Sequence, residues 1–318
     1  MPLLNLVRQA DAKDEKDKVY SILGLLNPAI SADVDPDYSL SVQQVYTDFV
    51  MTIIENTKSL DQIMYGGIPS EKDWRWPSWV PDLRLPSVRR HNQYLENRQA
   101  SGDSRARFEF RKKNERSILV CHGFQVDTVD GTTGGSSPRR SFSQLRYTSN
   151  RYKDRTSEAL EQTLVMGYPA ATERVLLNIP WRFKMDQSSY YQPFQDFREH
   201  NRSFRIGGKK FEDFFPRSGG QRMNTKATLA CIRLVMLSLG HRALITTETG
   251  YLGLAPIAVR PGDVVAILSS CKCPVVLRPC YNSMFQVVGE CYIHELMDGE
   301  ILNQERDGHV SQREFILC

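Results

Sequence analysis

No apolar run in this 318-residue chain approaches the 18 or so residues that span a bilayer, so no membrane segment is expected. The opening residues, MPLLNLVRQADAKDEKDK, turn charged almost at once and lack the apolar core of a secretory signal. That points to a cytoplasmic protein. Cysteines are few: seven, at 121, 231, 271, 273, 280, 291 and 318. Their odd number and uneven spacing argue against a disulfide framework and for free thiols. There is little excess of either charge, with 41 Lys and Arg against 37 Asp and Glu, so the overall pull on a polyanion is weak.

Chemical motifs are also scarce. The glycine pairs Gly66-Gly67, Gly134-Gly135, Gly207-Gly208 and Gly219-Gly220 fit neither G-x-x-x-x-G-K-[ST] nor a strand-to-helix G-x-G-x-x-G. No G-x-S-x-G elbow occurs. Cys271 and Cys273, with Cys280 and Cys291, supply thiols without the C-x₂₋₄-C pairs of a structural zinc site. His294, Glu295 and Asp298 could be drawn as an acid–base group. On a strand, however, His294 and Glu295 point to opposite faces, and Asp298-Gly299 reads as a turn. No catalytic, cofactor-binding or metal-binding residue is assigned, no cofactor is expected, and the chain is read as a non-enzyme.

The elements that are present describe an α+β protein. Val19, Ile22, Leu23 and Leu26 make an apolar stripe on a short helix, with Pro28 as its stop. Ser41 and Gln44 have the spacing of a capping box. They open a helix whose Val42, Val45, Tyr46, Phe49, Val50, Ile53 and Ile54 share one face. The segment GGIPSEKDWRWPSWVPD (66–82) holds three of the four tryptophans and reads as an ordered loop lidding a core. ARFEF (106–110) and SILVCHGFQVDTV (117–129) suggest a hairpin. Residues 130–157 have the composition of a flexible basic insertion. Helices are predicted over 158–166 and 222–239, the second closed by Gly240.

After Gly240 the period becomes two. RALITTE, GYLGLAP, DVVAIL, PVVLRP and FQVVGECYIHEL read as about five short strands of a small antiparallel, β-barrel-like unit. Pro261, Gly262 and Asp263 suit a tight turn between them. The predicted divisions are therefore a helical segment 1–83, a mixed middle 84–239, and a C-terminal β unit 240–318.

Several stretches resemble one family. DEKDKVYSILGLL (14–26) is similar to the D-P-R-D-K-V-Y-A-L-L-G-L signature of fungal heterokaryon-incompatibility (HET domain) proteins, and DYSLSVQQVYTDF to the family's next stretch. WPSWVPD, ASGDS (100–104) and ILVCHGFQVDTV resemble later stretches of that family. GYLGLAP, RPGDVVAIL, CPVVLRP and VVGECYIHELMDGE resemble its C-terminal block. SSCKCP (269–274) departs from it, where a glycine-containing turn is more usual. The W-I-D-A-L-C-I-N-Q-like and V-W-L-G-like stretches of the HET domain proper, which is TIR-like in fold, are missing. The resemblance therefore implies the region downstream of that domain, with 1–83 as its tail end. It implies a regulatory or interaction role in heterokaryon (vegetative) incompatibility, nonself recognition and programmed cell death, with another protein as partner. Two alternatives stay open. One is an accessory part of a TIR-like, NAD-cleaving HET protein. The other is a nucleic-acid binder using 139–155, where Arg139, Arg140, Arg146, Arg151, Lys153 and Arg155 interleave with Phe142, Tyr147 and Tyr152.

Overall fold

The computed structural model describes residues 7–8, 10–68, 76–84, 95, 97–113, 116–134, 151–168, 177, 179, 190–217 and 225–318. In chain order its elements begin with α1 (Asp17–Tyr20), α2 (Pro28–Ser31), α3 (Val42–Thr57), β1 (Phe108–Lys113) and β2 (Arg116–Thr132). Then come α4 (Thr156–Leu164), α5 (Tyr191–His200), β3 (Arg205–Ile206), β4 (Lys209–Lys210) and α6 (Thr225–Leu239). The strands β5 (Arg242–Thr247), β6 (Leu252–Pro256), β7 (Val264–Leu268), β8 (Val275–Pro279), β9 (Met284–Glu290) and β10 (Tyr292–Ile293) come next. Last are α7 (Glu300–Arg306) and β11 (Gln312–Leu317). The α+β class holds: helices in the N-terminal part, and a mostly antiparallel sheet toward the C-terminus. Among the described residues no helix is long and apolar enough to cross a membrane.

The chain folds as two compact units. One comprises 1–126, 266–290 and 298–318; the other comprises 127–265 and 291–297. They do not follow the consecutive divisions at 83/84 and 239/240. The reason lies in two strands: β2 gives 116–126 to the first unit and 127–132 to the second, and β7 is likewise divided after Val265.

In the first unit, α3 begins as its sequence dictates. The Ser41 Oγ accepts from the Gln44 backbone N–H at 3.2 Å, and the Gln44 side chain accepts from the Ser41 N–H at 3.0 Å. Its apolar face (Val45, Tyr46, Phe49, Val50, Ile53, Ile54) is buried. Pro28 does not simply end a helix. It occupies the first turn of α2, with Asn27 accepting from the Ala29 N–H, a position where proline's missing donor costs nothing. The stripe before it divides between α1 and a 3₁₀ turn, Leu23–Leu25, and only Val19 and Ile22 are buried.

The expected hairpin forms, with β1 antiparallel to β2 and Phe110 opposite Leu119. The first half of β2 then enters a closed ring. It pairs antiparallel with β11, β11 runs parallel to β9, β9 pairs antiparallel with β8, β8 neighbours β7, and β7 returns to β2. The Ser269 N–H donating to the His122 carbonyl at 2.9 Å belongs to that closure. There Gly123 has almost no space: a Cβ on it would lie 2.5 Å from the Ile267 carbonyl oxygen.

The second unit builds on the other half of β2, in the order β10, β6, β5, β2, all antiparallel. Thus all five strands expected after Gly240 exist, but they do not form one sheet of their own. β5 pairs with the end of β2 and β6 pairs with β5, while β8 and β9 belong to the ring. α6 packs on β5, burying Ile232, Val235, Met236 and Leu239. Gly240 is not among the glycines of positive φ, so the helix lacks the expected left-handed cap. Within FRIGGKKFEDFF, β3 and β4 form a two-residue hairpin with Gly207 at φ 56° and Gly208 at φ 84°, followed by a 3₁₀ turn. The turn at 260–263 forms as its residues specify. Gly262 has φ 91°, and the Asp263 carboxylate accepts from the Arg260 N–H at 2.8 Å.

Candidate functional site

The acid–base trio does not assemble. β10 ends at Ile293, so His294 and Glu295 lie in a turn rather than on a strand, with Glu295 at φ 64°. Glu295 pairs with Arg155 at 3.1 Å, and Asp298 pairs with Arg98 at 2.8 Å, so each carboxylate answers its own arginine. His294 is held by tyrosines. The Tyr152 ring lies 5.4 Å away, Tyr152 Oη donates to the His294 carbonyl at 3.4 Å, and Tyr292 Oη is 3.3 Å from Nδ1. These contacts pin a turn.

None of the seven cysteines is in a disulfide, as the spacing suggested. Cys121, Cys271, Cys273, Cys291 and Cys318 are buried, and Cys231 and Cys280 are half-buried. The Cys273 thiol donates to the Leu95 carbonyl at 3.1 Å. Among the described residues no group of three or more His, Cys, Asp or Glu is placed to hold a metal ion.

The described part of the tryptophan segment that follows residue 75 is buried, as its composition predicts. Trp79 is fully buried and stacks on Phe110 at 5.8 Å; Trp76 is buried edge-on to Tyr46 and donates to the Val80 carbonyl at 2.9 Å. Between them, buried Ser78 has three tasks. Its N–H donates to the Cys318 carbonyl, its Oγ–H donates to the same oxygen, and its Oγ accepts from the Val287 N–H at 2.8 Å. Trp74 lies outside the described residues.

Most of the basic insertion, 135–150, also lies outside the described residues, including Arg139, Arg140, Arg146, Phe142 and Tyr147. The cations that are described, Arg151, Lys153 and Arg155, are exposed, and two of them have partners. The Arg151 guanidinium sits 3.7 Å from the centre of the Tyr251 ring, and Arg155 is the partner of Glu295.

Two polar features had no readable signal. The first is Asp130. The β2–β5 ladder slips between Val129 and Gly131, and this bulge turns the intervening carboxylate inward. Its Oδ1 accepts from Thr246 Oγ1 at 2.6 Å, while Oδ2 is buried and has no partner. Burial pushes the carboxyl above its ordinary pKa against the opposing effect of the Thr246 bond; Asp127 and Glu248 push it further up. Asp127 itself is satisfied, accepting from the Thr249 N–H and Oγ–H at 2.9 and 2.7 Å. The second feature is Arg198, fully buried among Phe194, Phe197 and Phe215, with its guanidinium 4.2 Å from the Phe215 ring centre. Burial lowers its pKa to about 10. An open groove of about 400 Å³ lies along the N-terminal helices, lined by Val7, Ala10, Lys13, Asp17, Ile22 and Leu25 among others.

Comparison with known proteins finds two likenesses. Residues 221–317 match the family model described as the Het-6 beta-barrel domain. Heterokaryon incompatibility protein 6, OR allele, of Neurospora crassa is 24% identical over 337 aligned residues, which cover 91% of this chain and 49% of that protein. The chain is similar to that protein along most of its length. It spans about half the length of the curated relative it matches. No solved structure matches it. The Het-6 match takes in β5 to β11 but not β2, the strand that closes the ring in the first unit.

Proposed function

We propose that this chain is a non-enzymatic regulatory or interaction region of a HET-type protein, acting in fungal heterokaryon incompatibility and the cell death that nonself recognition triggers. One observation carries the reading. The likeness to the Neurospora crassa incompatibility protein extends over 91% of this chain, while Glu295 and Asp298, the carboxylates beside His294, each pair with an arginine. In this reading the chain works in the cytoplasm and its partner is another protein. The enzymatic alternative makes it the accessory part of an NAD-cleaving relative. The two separate on incubating purified chain with NAD and monitoring nicotinamide release by chromatography. No release above a heat-killed control is expected; turnover would overturn the non-enzyme reading. The nucleic-acid alternative rests on the composition of 139–155 and would be supported by a salt-dependent gel shift with single-stranded oligonucleotides.

A further inference from the structure

We propose that the outer edge of β1 is a docking site for an extended, acidic segment of a partner protein, which joins the sheet as one more strand beside Phe108, Phe110 and Lys112. The inference rests on the interaction reading above and names the chemistry of that partner. The backbone supplies the first argument. β1 stands outside the closed ring and pairs with β2 alone. The His122 N–H donates to the Arg107 carbonyl at 3.2 Å. In an antiparallel pair such bonds recur at every second residue, so Arg107, Glu109, Arg111 and Lys113 turn their backbone groups toward β2. Phe108, Phe110 and Lys112 turn theirs the other way. Among the described residues, nothing hydrogen-bonds to their N–H or carbonyl groups. A row of this kind is a template for a strand from another chain.

The side chains select the strand. Arg107, Glu109 and Arg111 alternate on one face and are exposed. Glu109 is the only acid between Arg105 and Lys113, and it pairs with Arg111 at 2.7 Å. Neither Arg105 nor Arg107 has an ion-pair partner among the described residues. The other face carries Phe108 and Phe110, both half-buried, with Trp79 stacked on Phe110 at 5.8 Å. A strand laid alongside meets cations on one face and aromatic carbon on the other, which suits alternating acidic and apolar residues. Cations on an edge guard it against strands of like charge, a second copy of β1 included.

The test is fluorescence anisotropy of the folded chain with a labelled, end-capped peptide of three glutamate–valine repeats. Saturable binding is expected, weakening as salt rises. An added strand bonds through one of its two edges, so N-methylating one alternate set of its residues should abolish binding and methylating the other set should spare it. Lys112→Pro removes an outward N–H at an exposed position, a change that an edge strand accommodates. It should weaken binding about three- to tenfold, with a circular dichroism melt to confirm the fold. Arg107→Glu should weaken the glutamate peptide and favour its lysine–valine counterpart. No saturable binding, equal binding of the lysine–valine peptide to the wild type, or equal binding of the two methylated peptides overturns the proposal. So does a wild-type dimer that Lys112→Pro splits, since the edge would then belong to a second copy. The wild-type peptide series decides the matter even if a variant fails to fold. NAD turnover would strike the non-enzyme reading alone, and failure of the peptide series strikes this inference alone.

Discussion

The closest backbone approach in the ring, β2 against β7 at Gly123, offers a decisive perturbation. A Cβ there would lie 2.5 Å from the Ile267 carbonyl oxygen, 2.7 Å from the Leu268 Cα and 3.1 Å from the Ile267 carbonyl carbon. Ordinary carbon contacts fall at 3.4–4 Å. All three atoms are backbone, so no side chain can swing aside, and Gly123→Ala must open the strands by roughly an ångström. Gly123 is not among the glycines of positive φ, so the effect is purely one of space. Overpacking in a fixed core costs about 1–3 kcal/mol. The upper part of that range is expected here, because Ile267 and Leu268 are fully buried and their strand is paired on both sides. For a chain of this size such a loss lowers Tm by about 3–5 °C. Gly24→Ala is the control: nothing lies within 4 Å of its Cβ, Gly24 sits in an exposed 3₁₀ turn, and its Tm should not fall. Thermal melts monitored by far-UV circular dichroism compare the two. Equal melting temperatures for Gly123→Ala and wild type would show that β2 and β7 do not meet there, and that the ring is open.

Two other changes test the interior. Ser78→Ala leaves the Val287 N–H without its acceptor in a dry site and removes a donor to the Cys318 carbonyl; a loss of about 1–3 kcal/mol in urea titration is expected, and Ser78→Thr should lose less if the hydroxyl can be seated. Burial raises the Asp130 pKa in the fold, so the unfolded chain releases that proton first. Its contribution to stability should therefore fall as pH climbs above the unfolded value of about 4 and level off once the raised folded value is passed. Asp130→Asn should flatten that portion of the pH–stability curve, and an unchanged curve would mean the carboxyl has a partner or solvent.

Local chemistry was legible from sequence wherever a residue answers to its neighbours. Ser41 and Gln44 signal one another across three positions, Pro261, Gly262 and Asp263 specify their own turn, and alternating apolar residues mark each strand from β5 to β9. Partner choice was not legible, because it depends on residues far along the chain. β11 escaped notice because Gln312, Arg313 and Glu314 are exposed, which breaks the alternation before Phe315 and Leu317 turn inward. The bulge at Asp130 exists only through the register between β2 and β5, so nothing in VDG announces a buried carboxylate. His294 misled in the other direction. A histidine beside a glutamate suggests chemistry until the tyrosines around it are seen.

The double membership of β2 has a consequence in time. Its register partner on β11 lies roughly 190 residues downstream, Cys121 opposite Phe315, while its other end meets β5 after little more than a hundred. One strand must therefore wait for two appointments of very different length. The ring depends on this long-range pairing and should close late, both in refolding and behind the ribosome. Until it does, the first half of β2 stands with only β1 beside it, exposing a free edge to any other chain that carries a matching strand.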